Sequence, residues 1–160
     1  MPQISVVLPV YNGAATLVRA TRSILEQSFD DLELIVIDDG STDETLERLH
    51  SVRDPRLSVL DLPHRGVVAA ANRGTEVATA PIIARMDADD ERDPKRLELQ
   101  LGALREDPQL ALVGCQVPPK RRPSLRGLPR PRRLAVQGTL WSAACRQAAC
   151  AARQAAEFEP

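Results

Sequence analysis

Residues 33–45 read Glu-Leu-Ile-Val-Ile-Asp-Asp-Gly-Ser-Thr-Asp-Glu-Thr. Leu32 to Ile37 is an apolar, β-branched-rich run of strand length, as expected of a strand buried on both faces. It stops at two aspartates and a glycine. Behind them, Ser41-Thr42-Asp43-Glu44 has the spacing of a helix capping box, and Leu46 and Leu49 supply an apolar face for the helix that follows. A buried strand, an acidic turn and a helix form the first half of a βαβ unit.

The pattern repeats on both sides. Ile4 to Leu8 is an earlier strand, expected to end at Pro9, and Leu17, Ala20, Thr21, Ile24 and Leu25 recur at helical spacing. Downstream, Arg56 to Leu62 reads as a third strand. Val67 to Ala78 reads as a helix whose small residues predict close packing, and Pro81 to Met86 as a fourth strand. Asp93-Pro94 marks a helix start, with Leu97, Leu101 and Leu104 carrying the helix to about Glu106. Leu110 to Val113 is a candidate fifth strand. Strands alternating with helices imply right-handed crossovers and a mostly parallel, Rossmann-like α/β sheet with flanking helices.

The chain has 160 residues and a formal net charge of −1. That average conceals two segments. Residues 1–117 carry 12 Lys and Arg against 20 Asp and Glu, a net of −8, whereas residues 118–160 carry 9 against 2, a net of +7. The acidic part argues against nucleic acid as a partner. No apolar run approaches the roughly 18 residues of a membrane span. The start of the chain lacks the basic region of a secretory leader. Three cysteines, Cys115, Cys145 and Cys150, do not suggest a disulfide framework, so a reducing, cytoplasmic setting is expected.

In a parallel α/β sheet, ligands bind beyond the carboxyl ends of the strands, where strand order switches. That edge should gather Pro9, Tyr11 and Asn12 after strand one, and Asp38, Asp39, Gly40 and Ser41 after strand two. Asp61 and His64 should join them after strand three, and Asp87, Asp89 and Asp90 after strand four. Asp38, Asp39, Asp87, Asp89 and Asp90 put five carboxylates at close range, a costly arrangement unless a cation offsets it. Hard oxygen donors suit Mg²⁺ or Mn²⁺, which complete their shells with phosphate oxygens and water. Asp43 and Asp90 are read equally well as caps of turns. His64 is expected to be structural first, and His50 to lie at the surface of a helix end. No G-x-G-x-x-G follows strand one and no P-loop is present, which disfavours a dinucleotide-dependent dehydrogenase or a P-loop NTPase. A phospho-receiver domain would want a lysine at the end of a late strand. The only lysines are Lys95 and Lys120.

Four segments in order carry a resemblance: Pro-Val-Tyr-Asn-Gly at 9–13, residues 33–45, Arg-Gly-Val-Val-Ala-Ala-Ala-Asn-Arg-Gly at 65–74, and Ala-Arg-Met-Asp-Ala-Asp-Asp-Glu-Arg-Asp-Pro at 84–94. Together they resemble family 2 glycosyltransferases of the GT-A fold, with Asp87-Ala88-Asp89 as a DXD-type motif. The resemblance spans about residues 3–117. It implies transfer of a sugar from a nucleotide-diphospho-sugar to a hydroxyl of a glycan, lipid or other acceptor. It places Pro9, Tyr11 and Asn12 beside the base and ribose, Asp39 on the base with Asp38 nearby, and Gly66, Asn72 and Arg73 along the nucleotide. Asp87 would lie near the ribose and the metal, and Asp89 would coordinate the Mn²⁺ or Mg²⁺ that bridges the diphosphate. Arg85 could offset phosphate charge or form a plain ion pair.

The family's catalytic base follows the DXD-type motif, where this chain turns basic and rich in Pro, Ala and Arg. Only Glu157 and Glu159 supply carboxylates there, and neither is assigned as the base. Residues 118–134 are expected to be loop or disorder, and 139–157 an Ala-rich helix. The abrupt change near Val117 suggests an incomplete GT-A sheet followed by a truncated or frame-shifted replacement. On that reading the chain would be a non-catalytic nucleotide-sugar-binding remnant. The rival for the tail is a basic appendage giving weak peripheral association with the inner face of a membrane.

Overall fold

The computed structural model describes residues 1–107, 109–115 and 137–141. Six strands form one sheet: β1 (Ile4–Val10), β2 (Leu32–Asp38), β3 (Leu57–Asp61), β4 (Ile82–Arg85), β5 (Leu112–Cys115) and β6 (Gln137–Trp141). Their order is β3-β2-β1-β4-β6-β5. The first four are mutually parallel, and β6 runs antiparallel between β4 and β5. Helices α1 (Leu17–Leu25), α2 (Thr45–His50), α3 (Val67–Val77) and α4 (Arg96–Glu106) connect the strands. The α/β expectation therefore holds, with helix and strand bounds within a few residues of those read from the sequence.

The alternation of side chains along β1 sorts the core into two layers. Ile4, Val6, Leu8 and Val10 pack with Leu17, Ala20 and Ile24 of α1, Leu49 of α2, and Leu97 and Leu101 of α4. Val7 faces the other way and packs with Ile35, Ile37, Ile83 and Ala70 of α3. Both faces of β1 and β2 are thus covered, which is why these strands read as unbroken apolar runs.

Three local expectations are corrected. β1 does not end at Pro9 but continues to Val10. The last β1–β4 pair is Val7 with Arg85, after which Met86 N–H donates to the Val7 carbonyl. Pro9 follows on that same side, beyond the paired part of β4, so its missing N–H breaks no ladder bond. Ser41 and Glu44 do not form a capping box. Ser41 turns back to Asp38, Glu44 pairs with Arg48, and the Asp43 carboxylate accepts the Thr45 N–H instead. Residues 139–141, expected to open a helix, belong to β6. The remainder of the expected tail helix and the expected loop at 118–134 lie outside the described residues.

The amino end of the sheet is tied by Glu33. Its Oε1 accepts the Ser5 hydroxyl at 2.5 Å and the Thr79 N–H and hydroxyl, each at 2.8 Å. Burial pushes the Glu33 carboxyl up, but these hydrogen bonds outweigh it and leave the pKa lowered. Among the described residues no helix is long and apolar enough to cross a membrane.

The small-residue face of α3 is needed for contact. A Cβ on Gly74 would lie 2.5 Å from Ile37 Cδ1 and 2.6 Å from Val7 Cγ1, whereas one on Gly102 in α4 would meet nothing within 4 Å. The same substitution should therefore have opposite signs at the two sites. Gly74→Ala is expected to destabilise by about 1–3 kcal/mol through overpacking. Gly102→Ala is expected to stabilise by up to about 1 kcal/mol through helix propensity. Urea unfolding of both variants checks this, and shifts of the same sign would contradict the packing described.

Candidate functional site

Strand order reverses between β1 and β4, and the chain segments that leave these two strands border the resulting crevice. Opposite β4, the segment after β1 is locked to the turn after β2. Asn12 N–H donates to Ser41 Oγ at 2.8 Å, Gly13 N–H to Thr45 Oγ1 at 2.9 Å, and Ala14 N–H to Asp43 Oδ2 at 3.2 Å. The Asn12 side-chain oxygen accepts the Thr42 N–H at 2.8 Å, and Asn12 holds a left-handed φ of 51°. Asparagine tolerates that region better than most residues. The Ser-Thr-Asp run is thus a clasp between two loops, and its Asp43 also meets the first N–H of α2.

Asp38 and Asp39 are both buried. Asp38 Oδ2 accepts the Ser41 N–H at 3.0 Å, and its other oxygen accepts the Ser41 hydroxyl. Asp39 reaches the loop before α3, where its two oxygens accept the N–H groups of Arg65 and Gly66 at 2.8 Å each. Charge-assisted bonds of this kind offset the cost of burying a carboxylate. Gly66 sits at φ 91° and Gly40 at φ 73°, which a side chain would strain. His64 Nδ1 lies 2.9 Å from Asp39 Oδ2, and its ring stands 4.2 Å from the Tyr11 ring at 34°. Sequence reasoning placed His64 second to bland alternatives. The structure puts it in this edge network, and its position two residues before Gly66 was the available signal.

The acidic residues after β4 are arranged differently. Asp87 is half-exposed and pairs with Arg85 at 3.2 Å. Asp89 is exposed and has no hydrogen bond or ion pair among the described residues. Asp90 pairs with Arg92 at 2.5 Å, Glu91 pairs with Arg19 of α1, and Arg92 N–H donates to Ser23 Oγ. Gln27, which the sequence did not mark, is buried and joins α1 to this segment. Its Nε2 donates to the Ser23 and Asp93 carbonyls and its Oε1 accepts the Leu97 N–H. Residues 90–94 are thereby fixed while Asp89 is left open to solvent.

The expectation of one five-carboxylate cluster is therefore corrected. Asp38 and Asp39 are held by backbone and hydroxyl donors, Asp90 pairs with Arg92, Asp43 caps the turn into α2, and Asp61 is exposed at the end of the edge strand β3. Among the described residues no three His, Cys, Asp or Glu side chains group as a metal cage. The sequence-derived positions divide accordingly. Pro9 is buried within β1, while Tyr11, Asn12, Asp38, Asp39, Gly66, Asp87 and Asp89 all lie at or just beyond the strand carboxyl ends. Asn72 and Arg73 lie further along α3, where exposed Arg73 pairs with Glu76 at 3.1 Å. His50 ends α2 at the surface, as expected.

The sequence model of glycosyl transferase family 2 matches residues 5–156. The chain belongs to that family. A chondroitin synthase of Escherichia coli is 36% identical over 115 residues, covering 71% of this chain and 17% of that protein. Two solved structures share the fold. S. aureus TarS 1–349 in complex with UDP-GlcNAc superposes with a TM-score of 0.73 at 20% identity, covering 93% of this chain and 47% of TarS 1–349. The mannosyltransferase PcManGT from Pyrobaculum calidifontis, in complex with GDP-Man and Mn²⁺, gives 0.71 at 23%, covering 88% and 44%. This family 2 chain thus has a GT-A fold and spans less than half the length of each of these three proteins.

The clasp makes a pH prediction. The Thr45 hydroxyl, with the Ala14 and Thr45 N–H groups, lowers the Asp43 pKa below its ordinary 3.8. A carboxyl lowered by folding stabilises the folded chain above its unfolded pKa, and the contribution is lost as pH falls through the folded value. Asp43→Asn should therefore be less stable than the wild type at neutral pH, and the difference should shrink below about pH 4. Urea midpoints across that range test this; a difference independent of pH would contradict it.

Proposed function

We propose that this chain binds a nucleotide-diphospho-sugar at the β1–β4 crevice with a divalent cation, and that it serves metal-dependent transfer of the sugar to an acceptor hydroxyl. The observation that carries the reading is the division of carboxylates: Asp38, Asp39, Asp43 and Asp90 are satisfied internally and Asp61 stands on the edge strand β3, whereas Asp87 and Asp89 remain at the rim of the crevice. The structure tests the fit of an ion through its donor set. Two hard oxygen donors, one facing only an exposed arginine and one unpartnered among the described residues, suit Mg²⁺ or Mn²⁺. Such an ion takes one or two carboxylates and completes its shell on phosphates, so the lack of a three-residue cage among the described residues is no misfit.

In this reading Tyr11, Asn12 and Pro9 form the wall beside base and ribose, and Asp39, with Asp38 behind it, presents its remaining lone pairs to the base. Gly66, with Asn72 and Arg73 further along α3, borders the nucleotide. Asp87 and Asp89 hold the cation, which when bound offsets charge on the departing diphosphate. The acceptor oxygen bonds to the anomeric carbon as the bond to the diphosphate breaks, and a base takes the hydroxyl proton. Arg85 would move from Asp87 to the diphosphate. The complexes of TarS with UDP-GlcNAc and of PcManGT with GDP-Man and Mn²⁺ support this class of donor.

The second reading, a remnant that binds donor without turnover, rests on the change of charge at residue 117. We place a functional boundary there, between the acidic donor-binding part and the basic tail. The sheet itself crosses it, because β6 comes from the tail.

Calorimetry with UDP and GDP, with and without Mn²⁺, tests the site. The wild type should bind one of them only with Mn²⁺. Asp89→Ala should weaken binding at least about tenfold, since loss of a metal's outer-shell partners alone costs 10–100-fold. Metal-independent binding, or an unaffected variant, would overturn the assignment. Release of nucleoside diphosphate in the presence of an acceptor mixture separates the enzyme from the remnant.

A further inference from the structure

Tyr11 is 49% exposed just past the end of β1. Its recorded ring contact is His64, at 4.2 Å between centroids. His64 is in turn held by Asp39. Its Nδ1 lies 2.9 Å from the Asp39 carbonyl oxygen and 2.9 Å from Asp39 Oδ2. Both partners are acceptors, so Nδ1 carries the proton, and the tautomer and ring orientation are fixed together. The Asp39 side chain is itself 4% exposed and anchored by two backbone N–H groups. Gly40 completes the arrangement, because a Cβ there would lie 2.8 Å from the His64 backbone nitrogen. A rigid buried carboxylate thus orients one ring, and that ring orients a second, solvent-facing one.

We propose that His64 is a positioning residue of the donor subsite: its imidazole, aligned by Asp39, holds Tyr11 in the orientation against which the planar base of the nucleotide packs. The proposal rests on the donor-site reading above and adds the residue that preorganises it. Ordering Tyr11 before binding removes part of the cost of fixing it in the complex. The ring of His64 carries the effect on Tyr11, and the hydrogen bond to Asp39 serves to aim that ring.

The chain has one tyrosine, so fluorotyrosine labelling reports Tyr11 alone. Two variants separate the parts of His64. His64→Phe keeps a ring and loses the donor, whereas His64→Asn keeps a donor towards Asp39 and loses the ring. In the free full-length chain, the fluorine resonance should move towards that of free fluorotyrosine in both variants, part of the way in His64→Phe, whose ring is present but no longer aimed by Asp39, and further in His64→Asn. In calorimetry with UDP or GDP and Mn²⁺, His64→Phe should weaken binding about threefold and His64→Asn about tenfold. Any other ranking overturns the proposal, including rescue by asparagine, which would make His64 a loop tether only. A wild-type chain that binds neither nucleotide overturns the donor-site reading instead. The fluorine resonance then still decides whether His64 holds Tyr11.

Discussion

The carboxylate of Asp39 accepts hydrogen bonds from the N–H groups of Arg65 and Gly66, and the rest of the crevice edge depends on that contact. It joins the end of β2 to the start of α3. It fixes where α3 begins its descent along the sheet, and so where Gly74 meets Val7 and Ile37. It also presents His64 to Tyr11. A buried carboxylate left without donors would cost several kcal/mol, so the loop before α3 has little freedom to leave it. The positive φ at Gly40 and Gly66 is the backbone geometry that lets both sides approach.

The acidic residues at the strand ends therefore perform two different physical tasks. Asp38, Asp39 and Asp43 accept hydrogen bonds from loop donors and give the loops after β1, β2 and β3 their shape. Asp90 is used by Arg92 to pin the segment after β4 against α1. Asp87 is half-exposed and Asp89 exposed after β4, and Asp61 is exposed at the end of the edge strand β3; on the proposed reading it is the pair after β4, beside the crevice, that takes the external cation. A net charge of −8 in residues 1–117 thus overstates the charge available for a ligand.

Much of this was legible in the sequence, for physical reasons. β1 and β2 are buried on both faces, so their apolar runs could be read directly, and α1 carries a clean 3.6-residue stripe. The run of Ala and Gly in 65–74 announced a helix lying close on the sheet. The limits are equally specific. Pro9 reads as a stop, yet its missing donor faces the side where β4 has already ended. Ser41 and Glu44 have capping-box spacing, yet Asp38, three residues before Ser41, and the distant Asn12 take Ser41 first. The Asp43 carboxylate, not Ser41, meets the first helical N–H. Gln27 and His64 carry contacts far along the chain, to Asp93 and Asp39, which no local pattern encodes. The strand at 137–141 is set by its neighbours β4 and β5, against the helix propensity of the Ala-rich sequence that follows it.

The central claim is that the buried acids build the loops and the exposed pair after β4 receives the ion. Paramagnetic broadening by Mn²⁺ on the ¹⁵N-labelled chain, with a nucleoside diphosphate present, tests it most directly. The account predicts that the amide signals of Asp87, Ala88 and Asp89 broaden first, followed by those of Tyr11 and Asn12. Those of Glu33 and Thr79, at the other end of strands about 20 Å long, should stay sharp. Broadening centred on Glu33 or Asp54, or spread evenly along the chain, would contradict it.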